Sequence, residues 1–216
     1  IIIEDACHAL QAEFENKRCG GLGDIGCFSL HPLKNLNVWG DGGIITTNNQ
    51  SIADRLKLIR NHGLLDRNTC IEFAYNSRLD SIQAVVAKHL IENKLDNITR
   101  SRIKNAKYYD ELLKEIPEIK LLERKTNFKE VFHLYIFTVE KRDELATFLK
   151  KRNIDAKIHY PTPMHLQPAA KKYNFDSSQL LNAENLSQKT MSLPVHEFIT
   201  KNQIEFVANS IKEFFN

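Results

Sequence analysis

Every glycine in this 216-residue chain falls between Gly20 and Gly63, eight in all, and none follows. Glycine accepts backbone dihedrals closed to other residues and lets a ligand approach the chain closely. So uneven a distribution splits the sequence into a turn-rich first part, where a site is expected, and a second part built differently. Three β-branched residues running into acids predict a buried strand over 1–4. A short helix or turn is expected over 6–14, a loop over 20–24, and further strands over 25–30 and 43–47. Ser51, with Asp54 three residues on, predicts the N-cap of a helix that stops at Asn61-His62-Gly63. The opening run Ile1-Ile2-Ile3 reads as the end of a sheet strand, so the chain is expected to begin inside a domain.

The second part opens with a helical signature. Asp80-Ser-Ile-Gln83 is a capping box, and Ile82, Val85, Val86, Leu90, Ile98, Ile103, Ala106, Tyr109 and Leu113 follow at helical spacing until Pro117. One helix to Glu115 would measure about 54 Å. That exceeds what a compact domain of this size needs and predicts a connector between domains. The expected division is therefore 1–79 as part of a large domain, 80–116 as a long inter-domain helix, and 117–216 as a small α/β domain. Within the last, strands are expected over 132–139 and 154–160, a helix over 143–152 and a helical turn over 187–191. Thr200-Lys-Asn-Gln203 is a capping box opening a final helix that carries Ile204, Val207, Ile211 and Phe214 on one face.

Composition removes several function classes. The net charge is +3, with Lys and Arg spread evenly, so no phosphate-neutralising patch for nucleic acid is expected. No uncharged apolar run approaches the roughly 18 residues a membrane span needs. Four cysteines (Cys7, Cys19, Cys27 and Cys70) occur without a C-x-x-C pair or a secretory signal, which predicts reduced thiols and a cytoplasmic protein. The intervals of 11 and 7 residues between the first three match no zinc pattern, so no metal is expected.

The chemistry concentrates around Lys34, the one charged residue between Cys27 and Gly40. Two readings stand for it: a surface-loop lysine following Pro32, or a sheltered amine available to form a Schiff base. Asp5, at the end of a predicted strand, is either the cap of the next turn or an acid facing a ligand, because ligands on parallel sheets gather at strand C-termini. His8 lies three residues on and points the same way in a helical turn. Ser29, five residues before Lys34, is an ordinary strand-end serine or a phosphate-binding hydroxyl. A buried acid and a Schiff-base lysine on neighbouring strand ends are what pyridoxal 5'-phosphate (PLP) requires.

Eight motifs in order then carry a resemblance. They are E-D-A-C-H-A from Glu4, G-L-G-D-I-G-C-F-S-L-H-P-L-K-N-L from Gly21, G-D-G-G-I-I-T-T-N from Gly40, R-N-H-G from Arg60 and Y-N-S-R-L-D-S-I-Q-A from Tyr75. H-Y-P-T-P-M-H-L-Q-P from His159, A-E-N-L-S from Ala183 and S-L-P-V-H from Ser192 complete the series. The chain resembles the DegT/DnrJ/StrS sugar aminotransferases along essentially its whole length. The resemblance implies an α/β fold of the PLP-dependent transferase fold type I. It would comprise a partial large domain with a mostly parallel sheet, joined by the long helix to a small C-terminal α/β domain.

By the same resemblance, Lys34 is the catalytic lysine that carries the cofactor, Asp5 pairs with the pyridine nitrogen, His8 lies beside the ring hydroxyl and Ser29 binds the phosphate. Asn76 is implied to reach the phosphate of a neighbouring subunit's cofactor, hence a homodimer with shared sites. His159, Tyr160 and His165 fall where the family approaches its sugar nucleotide, or are simply polar ends of a strand and a Pro-rich turn. The implied reaction moves an amino group, from glutamate as donor, to a keto-sugar nucleotide in amino-sugar biosynthesis for surface polysaccharide or glycosylated metabolites. Full members carry a preceding stretch with the rest of the sheet, so these 216 residues alone are expected to hold PLP weakly. The rival readings are an inactive or regulatory relative, and a PLP-dependent sugar dehydratase, which carries histidine where Lys34 stands.

Overall fold

The computed structural model describes the backbone of residues 1–216 and every side chain except that of Ser177. The chain forms two compact units, Ile1–Arg100 with Lys125–His133 and Ser101–Arg124 with Leu134–Asn216. In chain order the first unit contains β1 (Ile3–Asp5), the hairpin β2 (Glu13–Phe14) and β3 (Lys17–Arg18), β4 (Ile25–Ser29), β5 (Gly43–Thr46), α1 (Gln50–Ile59) and α2 (Ser81–Asn93). α3 (Leu95–Leu113) contains the boundary between the units. β6 (Ile119–Leu121) belongs to the second unit, and β7 (Phe128–Lys129) returns to the first. β8 (Tyr135–Val139), α4 (Arg142–Lys151), α5 (Leu181–Lys189), β9 (Thr190–Leu193) and α6 (Lys201–Phe215) complete the second unit.

The first unit is organised on a sheet of order β1-β4-β5. β1 runs parallel to β4, with Asp5 opposite Cys27, and β5 runs antiparallel to β4, with Gly43 opposite Ser29. Both ends that matter chemically, Asp5 and Ser29, are thus the C-terminal ends of adjacent parallel strands. Gly26 lets the sheet close on its neighbouring loop. A Cβ there would lie 2.4 Å from the Gly20 Cα and 2.7 Å from the Thr46 Oγ1. On one side Leu30, Leu36, Val38, Ala87 and Leu95 form the core, with Leu79, Val86 and Leu90 packed against it. Removing such apolar surface from water is the main drive to fold.

Several local expectations are corrected. Residues 1–3 are not buried, Ile1 being 92 % exposed, and the strand spans Ile3–Asp5. Over residues 6–14 the turn alternative holds, but the turns run into an unexpected β2–β3 hairpin, and β7 pairs with β2 to set Glu13 against Lys129 and Phe14 against Phe128. The N-cap of α1 is Asn49, not Ser51, because the Asn49 side chain accepts the N–H groups of both Ser51 and Ile52. The Asp80 capping box does not form: Gln83 instead accepts the Trp39 N–H at 2.7 Å, which ties α2 to the loop before β5. Gly63 does end the α1 region, with φ +70° and its N–H on the Leu58 carbonyl at 3.0 Å.

The single long helix is two helices, α2 and α3, divided at Lys94, whose φ of −130° leaves the helical region. The Asn93 side chain donates to the His89 carbonyl at 2.9 Å, competing for an acceptor that helical bonding needs. Leu95, the residue after the break, is buried in the first-unit core.

The second unit is closed around an antiparallel sheet of order β6-β8-β9, with α4 packed on α6. Tyr109, Leu113, Tyr135, Phe137, Leu145, Leu149, Met191 and Ile211 are fully buried. Here too the expectations shift. The strand predicted over 132–139 begins only at Tyr135, because Phe132 has φ +49°. Residues 154–160 form no strand, only the Lys157–Ser192 bridge. Of residues 187–191, Ser187–Lys189 are the helical last turn of α5, as expected, but Thr190 and Met191 already belong to β9, which is buried throughout. The final capping box forms as expected, with Thr200 and Gln203 bonding reciprocally at the start of α6. No helix among the described residues is long and apolar enough to cross a membrane.

Candidate active site

Lys34 follows a tight turn on which its backbone N–H bonds the His31 carbonyl at 2.8 Å, with Pro32 inside the turn. Its carbonyl accepts the Asn37 amide at 3.0 Å. On either side the chain is anchored by buried residues: Leu30 before the turn, then Asn35, Leu36 and Val38. The Lys34 side chain is half-buried while Leu33 and Trp39 point to solvent. The turn therefore fixes the backbone that carries the Lys34 side chain.

Asp5 ends β1, the parallel neighbour of the strand that leads into the Lys34 turn. Hydrogen bonds from the Cys7 side chain and from its N–H (3.2 Å) pull the Asp5 carboxyl below its ordinary range. Burial opposes these bonds, and the charges of His8 and Lys34 add smaller lowering effects. Asp5 is thus a carboxylate at neutral pH. The Cys7 thiol is pushed up by burial, and further by its bond to Asp5, so it remains a protonated donor. Asp5, His8 and Lys34 are one electrostatic cluster.

Ser29 ends β4 on the same edge. Its Oγ accepts the His31 N–H at 3.2 Å, which leaves its own proton to donate elsewhere. One strand residue earlier than Asp5, Glu4 grips the glycine loop: its carboxylate accepts Leu22 and Gly23 N–H at 2.6 Å and Gly20 N–H at 2.7 Å. Burial opposes the charge, yet the bonds from Gly23, Gly20 and Leu22 lower its pKa on balance.

Asn76 lies apart from these groups. It is exposed, bridges to Asn61 and accepts the Arg78 Nε at 2.9 Å. It lines a cleft of about 1290 Å³ bounded by β4, β5, α1 and the 75–79 segment, and Asp5, His8, Ser29 and Lys34 are not among its lining residues. His159, Tyr160 and His165 are in the second unit. His159 Nδ1 lies 3.0 Å from the Ser192 Oγ, and burial, then Lys157, lowers its pKa. His165 Nε2 meets the Glu184 carboxylate at 3.1 Å with its side chain 8 % exposed, so its visible role is to clasp the Pro-rich turn to α5. Tyr160 is 69 % exposed. No group of three or more metal-ligating residues occurs among the described residues.

Sequence reasoning passed over three residues of this region: Glu4, Asn35 and His133. The first two sit inside quoted motifs, where their neighbours drew the attention. His133 arrives from the Lys125–His133 segment, and no local pattern points to it.

Comparison with known proteins follows the same lines. The DegT/DnrJ/EryC1/StrS aminotransferase family matches residues 1–212. A pleiotropic regulatory protein of Geobacillus stearothermophilus is 36 % identical over all of this chain and 58 % of its own length. The dTDP-3-amino-3,4,6-trideoxy-alpha-D-glucose transaminase of Streptomyces venezuelae is 33 % identical over 99 % of this chain and 56 % of its own. Among solved structures, S. venezuelae DesV in complex with a ketimine intermediate superposes with a TM-score of 0.94 at 34 % identity, over 99 % of this chain and 57 % of that one. The chain therefore spans a little over half the length of the proteins it matches.

Proposed function

Because this chain belongs to the DegT/DnrJ/EryC1/StrS aminotransferase family, we propose that it carries the reactive lysine of a PLP-dependent sugar-nucleotide aminotransferase. The observation that carries this reading is that the turn bearing Lys34 follows Ser29, the C-terminal end of β4, beside the parallel strand β1 that ends at Asp5, with the Lys34 charge acting on the Asp5 carboxyl. The donor set suits PLP: a carboxylate for a protonated ring nitrogen, a free hydroxyl for a phosphate and a primary amine for an aldehyde. PLP supplies a ring that draws electrons from the carbon being deprotonated.

The residues of this chain do the rest. Asp5, held anionic by Cys7, accepts the hydrogen bond of the ring nitrogen and keeps its proton in place. Ser29 Oγ donates to the phosphate while His31 N–H holds it in position. His8 would lie beside the ring hydroxyl. Lys34 Nζ would hold and move the proton of the substrate carbon, acting as base and then as acid.

The substrate of the whole protein is a keto-sugar linked to a nucleotide, and the amino donor is glutamate. The transaminase name of the S. venezuelae relative supports that substrate class. The product serves amino-sugar biosynthesis for surface polysaccharide or glycosylated metabolites. Asn76, outside the Lys34 cluster and exposed, suits a reach to the cofactor phosphate of a second copy in a homodimer. His159, Tyr160 and His165 are proposed to face the sugar nucleotide, Tyr160 by its exposure being the best placed of them to touch it. Four free thiols suit a cytoplasmic enzyme. Lys34 speaks against the dehydratase reading.

Lys34→Ala tests the proposal. Turnover should fall by about 10⁴-fold, the upper range for loss of a positioned acid–base group, and the visible absorption of bound PLP should disappear. Turnover near the unmodified rate would refute the assignment.

A further inference from the structure

Asn35, the residue after Lys34, is 6 % exposed and spends both ends of its amide inside the first unit. Its Nδ2 donates to the Val131 carbonyl at 3.1 Å. A carbonyl can only accept, so this bond fixes which end of the amide is nitrogen. The Oδ1 then faces His133 Nδ1 at 3.4 Å. An amide oxygen can only accept as well, so His133 must carry its proton on Nδ1, and in the neutral ring its Nε2 bears the lone pair. The same half-buried ring packs against His8, with centroids 4.1 Å apart and planes at 45°.

A continuous path of contacts results: the backbone of Lys34 to Asn35, Asn35 to His133, and His133 to His8. We infer that His133 is a positioning residue for the cofactor site. Locked by Asn35, it backs the His8 imidazole and ties His8 to the Lys34 turn, so the two groups that would flank the cofactor ring keep one spacing. The inference rests on the proposed place of His8 beside that ring. His133 itself exchanges no proton with substrate in this scheme, and it reaches the chemistry through His8.

Histidine-selective ¹⁵N NMR of the protein reads the lock without any variant. His133 should appear as the Nδ1–H tautomer; the Nε2–H tautomer would overturn the inference. In Asn35→Leu, which keeps the volume and removes the acceptor, His133 should lose that selection. In His133→Ala the His8 imidazole resonances should shift and PLP should bind on the order of tenfold more weakly, the lower range for loss of a supporting residue. His133→Phe, which keeps an aromatic face against His8, should recover most of that binding. A residue that served stability alone would change the melting temperature while leaving the His8 resonances in place, and that result would overturn the positioning role. Failure of the unmodified protein to bind PLP at all would count against the proposed function, while the tautomer would still decide the His133–Asn35 lock.

Discussion

The two units spend their sequence differently. The second encloses Tyr109, Tyr135, Phe137, Leu145, Leu149 and Ile211 completely and opens its last helix with a fully formed capping box. Its polar network also serves the fold: Tyr135 donates to Asp110 at 2.7 Å, and Arg124 reaches the same carboxylate at 3.1 Å. The first unit buries fewer large side chains and leaves Ile1, Trp39, Phe73 and Tyr75 largely exposed. Yet it holds the lysine, the depressed carboxylate and the strand-end serine. A sheet edge that presents chemistry cannot also bury its residues, because the groups that would react must meet something other than protein.

That contrast can be broken first through the closed core. Leu149→Ala should cost about 2–5 kcal/mol of unfolding free energy, as deletions in tightly packed cores do. Phe73→Ser, fully exposed in the first unit, should stay within about 0.5 kcal/mol. Denaturant titration of the two variants compares them directly, and equal losses would erase the distinction. Asp5→Asn sharpens it from the other side. Turnover should drop by roughly 10²–10³-fold, the usual consequence of losing one preorganised electrostatic partner. The melting temperature should barely change, since Asp5 is exposed. A large stability loss with little kinetic effect would make Asp5 a structural cap.

Smaller effects follow. Thr200→Ala should remove about 1 kcal/mol by leaving the first turn of α6 without its acceptor. Glu4 has a folded pKa below its unfolded value. Its contribution is therefore complete above about pH 4.3, the unfolded value, and is lost as pH falls through the lowered folded pKa. Glu4→Gln should flatten that acidic limb in melting temperatures measured across pH. An unchanged limb would mean that the Gly20–Gly23 loop does not depend on the charge.

Much of the site was legible because its parts are close in sequence or sit at strand ends with strong local signatures. Asp5, Ser29 and Lys34 fall within 30 residues, Asp5 and Ser29 at the ends of short β-rich runs and Lys34 in the turn just beyond. What escaped depends on contacts made across the chain. The β2–β3 hairpin has strands of two residues, too short for a periodic signal, and gains its third partner from Phe128 and Lys129. Gln83 left its expected cap for the Trp39 backbone, a partner 44 residues away. β9 resembled helix because α5 runs straight into it, with the Thr190 hydroxyl still bonding the Leu186 carbonyl at 2.6 Å. The long helix failed at one residue, Lys94, where the competing Asn93 bond and the pull of Leu95 into the core outweighed a continuous pattern. Local signals name the elements, and distant partners decide where they stop.

Reduction of the PLP-loaded protein with borohydride, followed by peptide mass mapping, tests the central claim most directly, because it fixes the cofactor to whichever amine holds it. The account predicts a single pyridoxyl-modified peptide containing Lys34. Modification of another lysine, with the Lys34 peptide unchanged, would contradict it.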